Sequence, residues 1–368
     1  MRIDRLVTER FRNLESVVLR PHARFTIFEG DNGQGKSNLL EAIAVLANLR
    51  SFRTSKLNDC IAFGAESAQL GGRVYGRGVG FDLGVELVAG RSRVFVDGKA
   101  VRRTSEVLGS LVAVLFSVAD LSLPSGEPAA RRRWLDRTIF HHQPEYLQDL
   151  RRYEKALASR NMLLRGGAQP GFDVRALDAF DGQCAAAGGA VMARREAFCA
   201  ALSLRIAAEF SEFAAPGLEA ALRYLPYDNE ASADTDADGR AARLLQQLAA
   251  VRRNDLRRGT TSVGPHRDDI AMLLNQRPAR EHASQGQCRA LVLALKIAEI
   301  RSLEATLGEP PVLLMDDVSS ELDRVRNAAL MHHLDAFGGQ VFLTTTDASH
   351  IQLTAPRDVI HVAAGRIS

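Results

Sequence analysis

Glycines at positions 30, 33 and 35 lead into Lys36 and Ser37 in the stretch GDNGQGKS. The stretch fits G-x-x-x-x-G-K-[ST], a loop whose backbone N–H groups turn inward around phosphates. The helix that follows offers its positive N-terminus to the same anion. In that pattern Lys36 reaches the terminal phosphates and the Ser37 hydroxyl ligates Mg²⁺. The loop residues expected around the ligand are Gly30, Asp31, Asn32, Gly33, Gln34, Gly35, Lys36, Ser37 and Asn38.

Phosphate chemistry of this kind needs an acid at the end of a neighbouring buried strand. PPVLLMDDVSSELD, residues 310–323, supplies one. Val312 to Met315 is an uninterrupted apolar run, as expected of a central parallel strand. Asp316 and Asp317 close it, at the strand end where open α/β sheets bind ligands. Asp316 is expected to hold the metal and Asp317 to polarise an attacking water. The acids lie about 280 residues beyond the loop, so a large insert leaves the sheet and returns to it.

The elements that must position these groups can be read from periodicity. Short apolar runs in residues 1–29 read as strands, and Leu39, Leu40, Ile43, Ala44, Leu46 and Ala47 recur at helical spacing. Residues 67–101 alternate, with VDGK as a hairpin turn, and LVAVLF (111–116) reads as a buried strand. Residues 127–225 show helical patterns and no strand-like run. GGAQPG (166–171) and DNEASADTDADG (228–239) read as loops. Strand character returns near 260–274 and the remainder alternates strand and helix. The expected class is α/β. The expected organisation is a head built from 1–124 and 259–368, with a mostly helical insert at 125–258.

The 368 residues are 46% hydrophobic and 25% charged, with a formal net charge of +3, as in an ordinary globular protein that can accept but does not require nucleic acid. Cys60, Cys184, Cys199 and Cys288 have neither metal nor redox spacing. The N-terminal stretch has charges throughout and no signal-peptide core, and no apolar run approaches a membrane span. A cytoplasmic location is expected.

Further motifs carry a family resemblance. SQGQ (Ser284–Gln287) resembles the signature motif of ABC-type ATPases, SSELD after the acids resembles their D-loop, and QVFLTTTD (340–347) sits where they have a switch strand. FRN (Phe11–Asn13) resembles the N-terminal motif of SMC-like heads. With GPHRDD (264–269), this ordered set looks like the RecF family of bacterial DNA repair proteins, across essentially the whole chain. The resemblance implies a P-loop ABC-type ATPase head with a helical second lobe, binding ATP and Mg²⁺. Arg12, Ser284, Gly286, Gln287 and Thr346 would join the loop around the nucleotide. It further implies an ATP-dependent homodimer, gapped DNA as partner, cooperation with RecO and RecR, loading of RecA, and roles in replication, repair and SOS induction.

Three departures from that pattern imply slow hydrolysis. Asp317 stands where most ABC-type ATPases carry glutamate, Thr346 where they carry a switch histidine, and no Q-loop glutamine follows VLFS. Ser284 and Gln287 also have capping-box spacing, and His266 fits either a nucleotide-proximal or a surface hydrogen-bonding role. Arginine clusters in the insert, among them Arg131, Arg132, Arg133, Arg252, Arg253, Arg257 and Arg258, could contact a nucleic-acid backbone, although such runs are also common on solvated helix faces. A transport ATPase, a small-molecule kinase and a structural chromosome protein share the phosphate loop. The long insert argues against the first, SQGQ and SELD against the second, and the insert's short arm against the third.

Overall fold

In the computed structural model, which describes residues 1–54, 56–103, 107–166, 175–214, 217–228 and 236–368, each apolar run beside the glycine loop becomes a strand. In chain order the elements are β1 (Arg2–Phe11), β2 (Leu14–Leu19), β3 (Phe25–Glu29), α1 (Lys36–Asn48), β4 (Ser67–Gly76), β5 (Val79–Val88), β6 (Arg91–Val96), β7 (Lys99–Ala100) and β8 (Ala113–Ser117). Next come α2 (Pro128–His142), α3 (Tyr146–Gly166), α4 (Ala176–Phe210), β9 (Ala220–Leu225), α5 (Ala237–Arg258), β10 (Asp269–Leu274), β11 (Arg277–Pro278) and α6 (Ala279–His282). The chain continues through α7 (Gln285–Leu307), β12 (Val312–Asp316), α8 (Arg324–Ala336), β13 (Val341–Thr345), β14 (Arg357–Ala363) and β15 (Arg366–Ile367). The chain divides into two compact units, residues 1–122 with 292–368, and residues 123–291.

The first unit holds two six-stranded sheets. One has the order β15-β14-β3-β13-β12-β8, with β14, β3, β13, β12 and β8 parallel. Its central strands are buried on both faces, which is why VLLM reads as an unbroken apolar run and FTIF as one interrupted only by Thr26. Register lines up their carboxyl ends: His361 opposite Glu29, Glu29 opposite Thr345, Thr344 opposite Asp316, and Asp316 opposite Ser117. The other sheet is antiparallel, β2-β1-β4-β5-β6-β7. A register shift between Ile3 and Arg5 moves the buried parity of β1 from Ile3 to Leu6. The expected hairpin turn falls at Asp97 and Gly98, both at positive φ as a two-residue type I′ turn requires.

The second unit packs α2 to α5 with a three-stranded antiparallel sheet, β11-β10-β9. Strand β9 corrects the expectation of a strand-free stretch up to residue 225. Ala220, Leu222 and Tyr224 face inward in alternation, but a run beginning with two alanines carries a weak period-two signal. Because β9 pairs with β10, residues 259–291 cluster with this unit, and its end falls at Leu291 where the sequence suggested 258. Of the loops expected at 166–171 and 228–239, residues 167–171 and 229–235 lie outside the described residues.

Ion pairs tie the helices of this unit together. Arg160, fully buried, donates to Asp181 at 2.6 Å and to Asp255 and Thr261 at 2.8 Å, joining α3, α4 and the end of α5. Arg195 pairs with Asp136 and donates to the Pro265 carbonyl at 2.6 Å. Removing one partner of such a buried pair strands the other charge, which costs about 3–5 kcal/mol.

Candidate nucleotide site

The geometry of the phosphate loop follows from its glycines. Gly30, Gly33 and Gly35 lie at φ 152°, 81° and 117°, backbone that L side chains rarely adopt. The loop delivers the chain into α1 with Lys36 and Ser37 in the first helical turn. Lys36 is 7% exposed, and its Nζ donates to the Gly30 carbonyl at 2.6 Å and the Asp31 carbonyl at 2.8 Å, folded back across the loop.

The acidic strand end lies beside it, as the sequence predicted. Ser37 Oγ donates to Asp316 Oδ1 at 2.7 Å. Thr344 Oγ1 donates to the same oxygen at 2.9 Å and accepts from the Asp317 N–H at 3.0 Å. Asp317 has φ 53° and ψ 26°, left-handed for a non-glycine residue, a conformation that costs on the order of 1–3 kcal/mol and tends to occur at functional sites. Its Oδ1 is buried without a hydrogen-bond partner among the described residues. Burial raises its pKa, against the opposing attraction of Lys36.

This donor set suits Mg²⁺. A hydroxyl and a carboxylate are hard oxygen ligands, and magnesium usually binds through one or two carboxylates together with phosphates and waters. Among the described residues no cluster of three or more His, Cys, Asp or Glu could form an all-protein metal site. The orphaned Asp317 oxygen is a further acceptor at the same place.

Several predicted residues have other local roles. Thr346 is exposed beyond the end of β13, and Thr344, two residues earlier, is the hydroxyl that bridges the acids. Three consecutive threonines hid the choice, which strand register makes by setting Thr344 opposite Asp316. Arg12 is clamped to Glu41 of α1, with contacts of 3.0 and 2.7 Å, and donates to the Asp59 carbonyl at 2.5 Å. Glu41 has no exposed surface, and nothing in LLEAIAVL marked it as an ion-pair partner. Asn38 turns to Asn13 at 2.7 Å and accepts from Arg53 at 2.6 Å. The Gln34 side chain accepts from the Ala364 N–H at 2.7 Å. Asp31, Asn32 and Gly33 are exposed at the tip of the loop. Glu29, not singled out in the sequence, accepts from the Ala348 N–H at 2.7 Å.

The second unit carries the signature-like residues. Ser284 is exposed and forms a reciprocal capping box with Gln287: Gln287 N–H to Ser284 Oγ at 3.2 Å, and Ser284 N–H to Gln287 Oε1 at 2.8 Å. Gly286 lies in the same helical turn. The GPHRDD stretch is woven into this unit's interior. His266 meets the Tyr153 hydroxyl at 2.5 Å and the Thr261 carbonyl at 3.1 Å, and burial pushes its pKa down to about 4. Asp268 accepts from the Tyr224 hydroxyl and from the Tyr227 N–H, and burial pushes its pKa up to about 6.

The arginine clusters sort by exposure. Arg131 is buried in a two-pronged ion pair with Asp269, both contacts at 2.8 Å, so it is withdrawn from the candidate nucleic-acid contacts. Arg132 donates to the Asp268 carbonyl at 2.6 Å, and Arg252 pairs with Asp178 and Asp181. Arg133, Arg253, Arg257 and Arg258 are exposed.

Known proteins match this chain over nearly its whole length. The family model for the RecF/RecN/SMC N terminal domain matches residues 2–366. A protein of Myxococcus xanthus named DNA replication and repair protein RecF is 43% identical over 98% of this chain and 94% of its own length. One of the same name from Geobacter sulfurreducens is 39% identical over 96% of this chain and 95% of its own length. A solved structure of the recombination mediator protein RecF-ATPrS in the RecFOR pathway has TM-score 0.91 and 31% identity, covering 100% of this chain and 97% of that one. A crystal structure of an SMC head bound to the C-winged helix domain of ScpA has TM-score 0.56 at 16% identity, over 100% and 98%, and shares the fold.

Proposed function

We propose that this chain, which belongs to the RecF family of RecF/RecN/SMC ATPases, is an ATP-dependent DNA-binding protein of recombinational repair. One arrangement supports the reading most: Ser37 of the loop meets Asp316, which Thr344 at the end of the adjacent parallel strand also contacts, while Lys36 lies folded across the same loop. The relatives are named for DNA replication and repair, and the similar solved structures for RecF with ATP and the RecFOR pathway.

In this reading the loop N–H groups and Lys36 bind the phosphates of ATP. Ser37 and Asp316 would hold Mg²⁺, which when bound neutralises charge on the phosphate oxygens. Asp317 orients and polarises the attacking water, with Thr344 fixing the backbone that aims it. Aspartate is shorter than glutamate, so hydrolysis is slow, which suits a timed switch. Weak ATPase activity stimulated by DNA then resets it. The exposed capping box at Ser284 receives the nucleotide of a second copy, so ATP joins two chains. Exposed arginines of the second unit hold the phosphate backbone of gapped DNA without reading bases. The dimer acts with RecR and RecO in loading RecA at gaps and in SOS induction.

Lys36→Ala tests the reading at its base. The variant is expected to lose binding of a fluorescent ATP analogue and, with it, ATP-dependent DNA binding. Nucleotide affinity equal to that of the unsubstituted protein would remove the phosphate-loop assignment.

A further inference from the structure

The phosphate loop is held from outside, at Gln34, by a hairpin more than 300 residues away in sequence. Strands β14 and β15 pair through Val362 with Ile367 and Ala363 with Arg366, leaving Ala364 and Gly365 as the turn. Both turn residues lie at positive φ, 49° and 75°. In a two-residue hairpin turn the turn residues' own N–H groups are not used by the ladder. Here both are given to Gln34: Gly365 N–H to its carbonyl at 2.8 Å, and Ala364 N–H to its side-chain Oε1 at 2.7 Å. Asn13 Nδ2 donates to the same carbonyl at 3.2 Å.

The seam tolerates no added side chain. A Cβ on Gly365 would lie 2.1 Å from the Asn13 carbonyl oxygen, and one on Gly30 would lie 2.3 Å from the Val362 carbonyl oxygen. One on Gly35 would lie 2.9 Å from Asn13 Oδ1. Gly30 and Gly35 therefore serve packing as well as backbone conformation, whereas Gly33 has open space around it.

We propose that the β14–β15 hairpin is a positioning element of the nucleotide site, aiming the Gly35 N–H at the phosphates by holding the opposite edge of the Gln34–Gly35 peptide. A trans peptide is planar, with its C=O and N–H on opposite edges. Fixing the Gln34 carbonyl toward the hairpin and Asn13 fixes the Gly35 N–H toward the concave side of the loop. Gln34 is thus a positioning residue whose side chain faces the hairpin and not the ligand. The inference rests on the nucleotide reading of the loop.

The test uses the full chain with Gln34→Ala, Gln34→Glu and Gly365→Ala, reading affinity for MgADP, KM and kcat for ATP, and melting temperature. Gln34→Ala loses the Ala364 bond, and ADP affinity and KM are expected to weaken about fivefold, the worth of one neutral hydrogen bond, with KM moving more than kcat. Gln34→Glu keeps an acceptor for the Ala364 N–H and, measured at about 1 M salt beside the other variants so that its added charge is screened from the phosphates, is expected to return to within about twofold. Gly365→Ala, which forces the seam apart, is expected to show the largest loss of affinity. Unchanged affinity in Gln34→Ala, or a Gln34→Glu variant as weak as Gln34→Ala, overturns the proposal while leaving the phosphate loop in place. Affinity losses that only track melting temperature overturn it too. An unsubstituted protein that binds no ADP or ATP overturns both this proposal and the nucleotide reading beneath it.

Discussion

Thr344→Val removes one oxygen and almost no volume, yet it should slow ATP hydrolysis markedly. Thr344 Oγ1 is the common partner of the two acids, donating to Asp316 Oδ1 at 2.9 Å and accepting from the Asp317 N–H at 3.0 Å. The side chain is 2% exposed, so water cannot readily replace the hydroxyl. Leaving the Asp317 N–H unsatisfied costs about 1–3 kcal/mol. That is comparable to the preference against the left-handed backbone at Asp317, so the residue is freed to relax and its carboxylate to move. If about 1.4–2.7 kcal/mol of this appears in the transition state, kcat falls about 10- to 100-fold. In the proposed function nucleotide binding rests on Lys36 and the loop, so KM should change less than about threefold. The assay is steady-state phosphate release at saturating ATP with and without DNA, beside a melting curve. Thr346→Val, on the exposed residue two positions along, should retain kcat. A folded Thr344→Val variant with undiminished kcat, or a Thr346→Val variant that loses more, would refute the assignment of Thr344 as the bridge.

Two further outcomes are expected from the second unit. Replacing the exposed Arg133, Arg253, Arg257 and Arg258 by alanine should lower the slope of log K for DNA against log salt by up to about 0.9 for each arginine that meets a phosphate, whereas Arg131→Ala should destabilise the fold by about 3–5 kcal/mol; an unchanged slope in the fourfold variant would exclude those arginines. Acidification should act on His266 and Asp268 in opposite senses. His266 has its folded pKa lowered from 6.5 to about 4, so its contribution is full above pH 6.5 and lost as pH falls toward 4. Asp268 has its folded pKa raised from 3.8 to about 6, so its destabilising effect is full above pH 6 and relieved as pH falls toward 3.8. The two oppose each other over the same pH range, each on the order of 3 kcal/mol. His266→Asn should therefore make this unit more stable at pH 4.5 than at pH 7, relative to the unsubstituted protein. The single tryptophan, Trp134, buried in α2, reports the unfolding, and a variant with the unsubstituted pH profile would contradict the burial of His266.

Legibility in the sequence followed the range of the interactions. The phosphate loop and the strand ending in Asp316 could be read directly, because glycine backbone demands and an unbroken apolar run are local signals. The partners of those groups could not. Which of three adjacent threonines reaches the acids depends on parallel register between β12 and β13. The commitment of Arg12 to Glu41 needs a β1–β2 turn to meet the second turn of α1, and neither residue's neighbours announce the other. Arg131 reads like Arg132 and Arg133 on the page, but its position on α2 points it inward at Asp269, 138 residues away. His266 and Asp268 lie in a motif rich in chemistry-bearing residues, and in the fold their partners are Tyr153, Thr261, Tyr224 and Tyr227. Strand β9 was missed because alanine carries little period-two signal, and with it the sheet that places residues 259–291 in the second unit.

In the proposed function ATP joins two copies of this chain on DNA. The most direct measurement is sedimentation velocity of the Asp317→Asn variant, which should hold ATP without hydrolysing it, beside a fluorescently labelled gapped duplex. With ATP the protein is expected to sediment as a dimer that carries the label, and without ATP as a monomer that leaves the duplex behind. A protein that stays monomeric with ATP bound, or that carries the duplex equally in its absence, would contradict the account.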